Sequence, residues 1–246
     1  MTAVTILSGG MDSATLAYAV SSLYEDTPVK QHFLSFNYGQ RHVKELEYAK
    51  KIAEKLNCKH DIIDLASVTK LLTGSALTDS ANVVMPEGFY AEENMRLTVV
   101  PNRNAMMLSV AWAVGIAEKA DFVYFGAHAG DHFIYEDCRP EFVEALSTAF
   151  RLGTHGKYPT MVVAPFLSID KTEILRRGLA MNVPYESTWT CYKGGEKACG
   201  VCGSCQERLE AFHLNETEDP LEYETRRLIA KGQYPTPEGG GLKGKD

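Results

Sequence analysis

The chain has 246 residues, 45% hydrophobic and 23% charged, the proportions of a folded globular protein with one substantial core rather than of a disordered segment. Twenty-five basic residues against thirty-two acidic ones leave a formal charge of −7, which offers no broad positive field to a nucleic-acid backbone or an anionic membrane and favours a small-molecule ligand. No stretch approaches the roughly eighteen apolar residues of a membrane span, and the opening MTAVTILSGG lacks the marks of a secretion signal, so a cytoplasmic protein without membrane or direct nucleic-acid partners is expected.

Residues 3–7 (AVTIL) predict a short buried strand, and Ala14, Leu16, Ala17 and Val20 predict a helix beginning near Ser13, behind the turn SGGMDS. HFLSFN at 32–37 repeats the strand signal, and the segment 42–57 carries Val43, Leu46, Ala49, Ile52, Ala53 and Leu56 at helical spacing. HDIIDL at 60–65 is a third strand. Strands alternating with helices in this way imply right-handed βαβ crossovers and hence a doubly wound, mostly parallel α/β sheet.

Residues 73–98 lack a period and contain Gly74, Pro86 and Gly88, which predicts a long loop of the kind that often serves as a lid. Asn102 is placed to cap a helix running to Ala117. DFVYFGA at 121–127 is a strand, Pro140 to Arg151 a helix, and TMVVAPF at 160–166 with DKTEILRRGLAM at 170–181 the last strand and helix pair. The expected organisation is an α/β domain over 1–187, a small cysteine-bearing appendage over 188–232, and a mobile Gly- and Lys-rich tail at 233–246.

In SGGMDS, Gly9 and Gly10 allow successive N–H groups to converge on an anion, the following helix adds its positive end, and Ser8 and Ser13 offer hydroxyls. The G-x-x-x-x-G-K-[ST] pattern of kinase-like phosphate loops is absent. A carboxylate at Asp12 beside phosphates makes sense when Mg²⁺ lies between them, and the combination suggests a site for the pyrophosphate of ATP. Tyr38, Gly39 and Gln40 follow the second strand, at the sheet edge where ligands bind in such folds, although a helix-capping turn accounts for them nearly as well. Arg103 and Arg139 are candidates for bidentate pairing with a carboxylate or phosphate.

CYKGGEKACGVCGSC sets Cys191, Cys199, Cys202 and Cys205 with seven, two and two residues between them. In a reducing compartment that spacing points to one tetrahedral zinc held structurally, with an iron–sulfur cluster as the alternative. Cys58 is expected to be a small buried side chain, and Cys138 a packing residue rather than a nucleophile. His128 and His132 are four apart but lie in a glycine-containing loop, so a second metal is not expected.

Residues 8 to 13, including Met11, resemble the pyrophosphate loop of the N-type ATP pyrophosphatases, in which a substrate oxygen attacks the α-phosphorus of ATP. FNYGQRH, VPNRN, DCRPEF, DKTEI, TWTCY and CGVCGSC follow in the order found in the 7-cyano-7-deazaguanine synthase family, over about residues 3 to 230. The resemblance implies a homodimeric ligase that adenylates a 7-carboxy-7-deazaguanine, converts it to the amide with ammonia, adenylates again and dehydrates to the nitrile. It also implies that Asp12, Ser13 and Arg139 act in catalysis, that Ser8 to Ser13, Tyr38, Gln40, Arg103 and Lys171 hold ATP and Mg²⁺, and that Asp131, Tyr135, Asp137 and Arg139 face the deazapurine. The four cysteines match the family's zinc ligands.

The chain departs from the commoner family pattern at Phe133, Ile134 and Glu136, where Ser-Gly and a proline are usual, and at Gly203, where an aspartate is. A relative acting on a neighbouring deazapurine, a tRNA-thiolating pyrophosphatase and a non-catalytic nucleotide sensor are the competing readings. Thiolation would need a basic surface, and a sensor would not need Asp12 and Ser13. With four of six cysteines assigned to metal and no segment for a glutaminase, free ammonia is the expected nitrogen donor.

Overall fold

The protein is described by a computed structural model over residues 1–23 and 29–228; the tail expected at 233–246 and the end of the 188–232 segment lie outside the described residues. In chain order the elements are β1 (Thr2–Ile6), α1 (Met11–Ser22), β2 (Lys30–Asn37), α2 (Glu45–Lys55), β3 (Lys59–Asp64), the short α3 (Ala66–Thr69) and α4 (Glu92–Met95), and α5 (Arg103–Ala117). Then come β4 (Phe122–Tyr124), α6 (Pro140–Gly153), β5 (Met161–Val163), α7 (Lys171–Ala180) and α8 (Gly203–Leu214).

The five strands form one sheet in the order β3-β2-β1-β4-β5, every pair parallel. β1 is buried on both faces, which explains its mostly apolar sequence, and its one fully buried polar residue, Thr5, donates to Gln31 Oε1 at 2.8 Å. Val4 and Ile6 enter a core with Leu108 and Trp112 of α5, while Ala3 and Leu7 point to the opposite face, toward α1 and α7. This is the doubly wound α/β architecture expected. After β3 the chain returns to the other side of β1, so the order reverses between β1 and β4, and the carboxyl ends of those two strands diverge to leave a crevice.

Several local expectations shift. Helix α1 starts at Met11, two residues before Ser13, because Gly9 makes the turn at φ +88° and extended Gly10 is already the N-cap. A side chain on Gly9 would also meet Glu45 O at 2.1 Å. The strand at 121–127 is regular only over Phe122–Tyr124, since Gly126 and Ala127 turn into the crevice. Asn102 sits at the N-cap of α5 in the left-handed region at φ +51° and makes no capping bond; Asp137 Oδ2 accepts from Asn104 N–H at 2.9 Å instead. The cap thus arrives from a distant loop. Residues 73–98 are no loose lid: Ala76, Leu77, Met85 and Met95 are buried in the main core, and Gly88 N–H donates to Val201 O at 2.8 Å. Cys58 is only half-buried.

Behind the sheet, α8 packs on α7 and carries Arg208, whose guanidinium forms a bidentate pair with Asp219, both bonds 2.8 Å, and also donates to Thr188 Oγ1 at 2.7 Å and Tyr185 O at 3.1 Å. The two charged side chains are 0% and 1% exposed. Asp219 further accepts from Leu221 N–H and Tyr223 O–H. Removing one partner leaves a buried charge unpaired, so Asp219→Ala should cost about 3–5 kcal/mol. Urea unfolding checks this; a loss under about 1 kcal/mol would show that the pair is dispensable.

Candidate functional site

The crevice between β1 and β4 opens into a cleft of about 190 Å³. Its floor is the turn after β1. There Ser8 N–H donates to Ser13 Oγ at 3.1 Å, the Ser8 and Ser13 hydroxyls are 3.0 Å apart, and Gly10 N–H donates to Ser8 Oγ at 3.2 Å. These donors sit at the N-terminus of α1, where the helix end favours negative charge. Asp12, in the first turn, has one oxygen on Lys171 and the other, Oδ1, buried with no hydrogen-bond partner.

Lys171 is brought there by α7. Asp170 caps that helix, accepting from Glu173 N–H at 2.8 Å, and Lys171 is the first helical residue. Its buried ammonium lies 3.3 Å from Asp12 Oδ2 and pairs with Glu207 Oε2. Burial works against the charged form, but Asp12 and then Glu207 outweigh it and hold the lysine pKa above its ordinary value. His128, 2% exposed, accepts from Gly130 N–H at Nδ1, so its neutral ring carries hydrogen on Nε2, which faces Asp131 at 3.5 Å and Asp12 at 3.8 Å. Asp131 also accepts from Tyr90 O–H at 2.8 Å.

The opposite wall comes from the end of β2 and the start of α2 and α5. Arg103 lies over the Tyr38 ring at 5.3 Å and donates to its hydroxyl at 3.2 Å. Burial pushes the Glu45 carboxyl up to about 8, against the Gln40 hydrogen bond and Arg103, and burial with Arg103 holds the His42 imidazole down at about 3. Both are therefore largely neutral near pH 7, and His42 Nδ1 is buried without a partner.

Of the residues singled out from the sequence, Ser8, Gly10, Met11, Asp12, Ser13, Tyr38, Arg103, Asp131 and Lys171 meet in this cleft. Gly9 shapes the turn behind it. Four others point elsewhere. Gln40 is spent on Tyr38 N–H, Phe36 O and Glu45. Tyr135 is buried with its hydroxyl 2.6 Å from Thr98 Oγ1, Asp137 caps α5, and Arg139 Nε donates to His132 O at 2.7 Å. Cys138 lines the cleft as a buried thiol whose pKa burial pushes up, so it is protonated and packed rather than nucleophilic. Sequence reasoning passed over Glu45 and Tyr90, and Glu207 behind the cleft, and set His128 aside; His42, Asn104, Trp189, Thr190, Tyr192 and Ser204 had a signal only as members of FNYGQRH, VPNRN, TWTCY and CGVCGSC.

Beyond the cleft, Cys191, Cys199, Cys202 and Cys205 are all buried, with their sulfurs within 4.8 Å of one another. A tetrahedral zinc with Zn–S bonds of about 2.3 Å separates sulfurs by about 3.8 Å, and Cys199 and Cys205 are 4.0 Å apart. Backbone N–H groups of Cys199, Val201 and Cys202 aim at cluster sulfurs at 3.3–3.5 Å, as thiolates require. The site could hold a zinc ion, and the donor set is drawn in tightly enough for one ion.

The chain has relatives among known proteins. A relative from Hahella chejuensis, a 7-cyano-7-deazaguanine synthase, is 56% identical over 224 residues, covering 91% of this chain and 93% of its own. One of the same name from Pseudoalteromonas atlantica is 52% identical, covering 90% and 98%. Among solved structures, the U34-tRNA thiolase NcsA from Methanococcus maripaludis, with its [4Fe-4S] cluster, aligns at a TM-score of 0.48 and 19% identity, covering 88% of this chain and 65% of that one. The model of the queuosine biosynthesis protein QueC family matches residues 2–216, and the chain belongs to that family.

Proposed function

We propose that the protein is an ATP-dependent carbon–nitrogen ligase that converts 7-carboxy-7-deazaguanine and ammonia to 7-cyano-7-deazaguanine, with two AMP and two pyrophosphate released. The observation that carries this reading is the meeting, at the sheet's switch point, of an anion-binding turn with an unpartnered carboxylate oxygen on Asp12 and the buried ammonium of Lys171. The N–H groups of the first turn of α1, left without intrahelical partners, and Lys171 would bind the triphosphate. Asp12 Oδ1 fits Mg²⁺, which when bound neutralises charge on the leaving pyrophosphate.

The substrate carboxylate oxygen attacks the α-phosphorus, displacing pyrophosphate; ammonia then adds at the acyl carbon and AMP departs with the oxygen. The amide oxygen is adenylated in the same way with loss of one N–H proton, and departure of AMP with loss of the second leaves the nitrile. Because each oxygen must be made a leaving group, one ATP site serves twice. Asp131 and the wall of Tyr38 and Arg103 are available to orient the planar purine. Four cysteines clustered for zinc, a protonated Cys138, and a half-buried Cys58 whose thiol burial pushes up and which donates to Leu56 O leave no activated glutaminase thiol among the described residues, which supports free ammonia as donor. The reading includes a cytoplasmic homodimer; no described helix is long and apolar enough to cross a membrane.

Chromatography of nucleotides and nitrile with 7-carboxy-7-deazaguanine, ammonia, ATP and Mg²⁺ tests the scheme. Two AMP per nitrile are expected, and synthetic amide should be converted with ATP but without ammonia. One AMP per nitrile, or an amide that is refused, would overturn it.

A further inference from the structure

Lys171 is held from two sides by groups of different standing. Asp12 belongs to the anion-binding turn, and its pairing with the ammonium at 3.3 Å competes with any cation it binds. Glu207, 11% exposed, stands behind the lysine and is not among the residues that line the cleft. A lysine side chain carries about 2 kcal/mol of rotamer entropy and a point charge without preferred direction, so its place is set by whichever partner stays fixed.

Glu207 is fixed through α8. Its neighbour Cys205, two residues earlier, is one of the four clustered sulfurs, and Cys202 is the N-cap of the helix. Thr190 and Ser204 hydroxyls lie 3.1 Å apart, and Trp189 N–H donates to Gly9 O at 2.8 Å, tying the segment that leads into the cysteines to the anion-binding turn. The clip therefore touches the turn directly through Trp189 and reaches across it through Glu207 and Lys171.

We infer that Glu207 is a positioning residue for ATP activation, acting through Lys171 and seated by the cysteine clip. The inference rests on the ATP reading above. Simple electrostatics makes the opposite forecast: a carboxylate close to a polyphosphate site weakens anion binding, so its removal should only tighten ATP.

The test uses the full-length, zinc-loaded protein. Glu207→Gln should lower kcat for pyrophosphate release about 10- to 100-fold without raising KM for ATP, and with zinc content unchanged. In a Lys171→Ala background the same substitution should cost less than about twofold, because its only route is then gone. Independently of turnover, acylation of Lys171 by an amine reagent in nucleotide-free protein, read by peptide mass spectrometry, should quicken about tenfold as the tether is released. Additive losses in the double variant, or unchanged Lys171 labelling, would overturn the inference. Should Glu207→Gln shed zinc, Glu207→Asp, one methylene short of its partner, goes through the same cycle and the same readings decide. A wild-type protein that releases no pyrophosphate would sink the ATP reading, while the labelling still decides the tether.

Discussion

Asp12→Ala is expected to stop AMP and pyrophosphate formation while leaving the fold in place. Asp12 is the one residue of the turn with a carboxylate, its Oδ1 is buried without a partner, and its side chain is 22% exposed to the cleft. On the proposed function, losing it removes a ligand for the cation beside the leaving pyrophosphate, an expected loss of at least about 10³-fold in rate, or roughly 4 kcal/mol. The fold should tolerate the change because Lys171 keeps its pairing with Glu207 and Ala is a good helix former in the first turn of α1. Circular dichroism establishes the fold and chromatography the products. Unchanged AMP production at saturating ATP and Mg²⁺ would remove Asp12 from the metal role.

The second large effect belongs to the cysteine clip. Purified protein should be colourless with one zinc per chain by elemental analysis, and Cys202→Ser should lose the ion together with a large part of its stability. Structural zinc contributes on the order of 10 kcal/mol of binding free energy that is coupled to folding. Cys202 is fully buried, and its backbone forms the N-cap of α8 and a bridge to Glu87 of the 73–98 segment, so loss of the ion loosens the point where the helix start and that segment meet. Iron with acid-labile sulfide in a brown protein would refute zinc and favour the thiolation reading.

The parts of the site that were legible in the sequence are those whose residues are neighbours along the chain. SGGMDS announces its own turn, and four cysteines in fifteen residues announce their own ion, because local geometry alone brings those donors together. Lys171 lies 159 positions from Asp12; only the DKTEI motif signalled it, and only the packing of α7 against α1 brings the two together. Glu207 had no signal, since the cysteines already accounted for its segment, and its direction depends on how α8 lies on α7. The 131–139 loop shows the converse case. The motif located the loop beside the cleft, but Tyr135, Asp137 and Arg139 turn to Thr98, Asn104 and His132, because motif identity carries no information about side-chain direction.

The cap that Asp137 gives to α5 divides the 131–139 loop into an anchor and a tip, with consequences for redesign. Asn104 Nδ2 also donates to Asp137 O and to Cys138 Sγ, so the second half of the loop is part of the foundation of a helix that lies under the sheet. Phe133 and Glu136, two of the three loop positions singled out from the sequence as departures, are exposed. A combinatorial library confined to those two exposed positions, which lie outside the cleft lining, varies the loop surface beside the cleft at little risk to folding. One that also randomises Asp137 and Cys138 selects first for helix integrity, and most of its diversity is discarded before any substrate is seen.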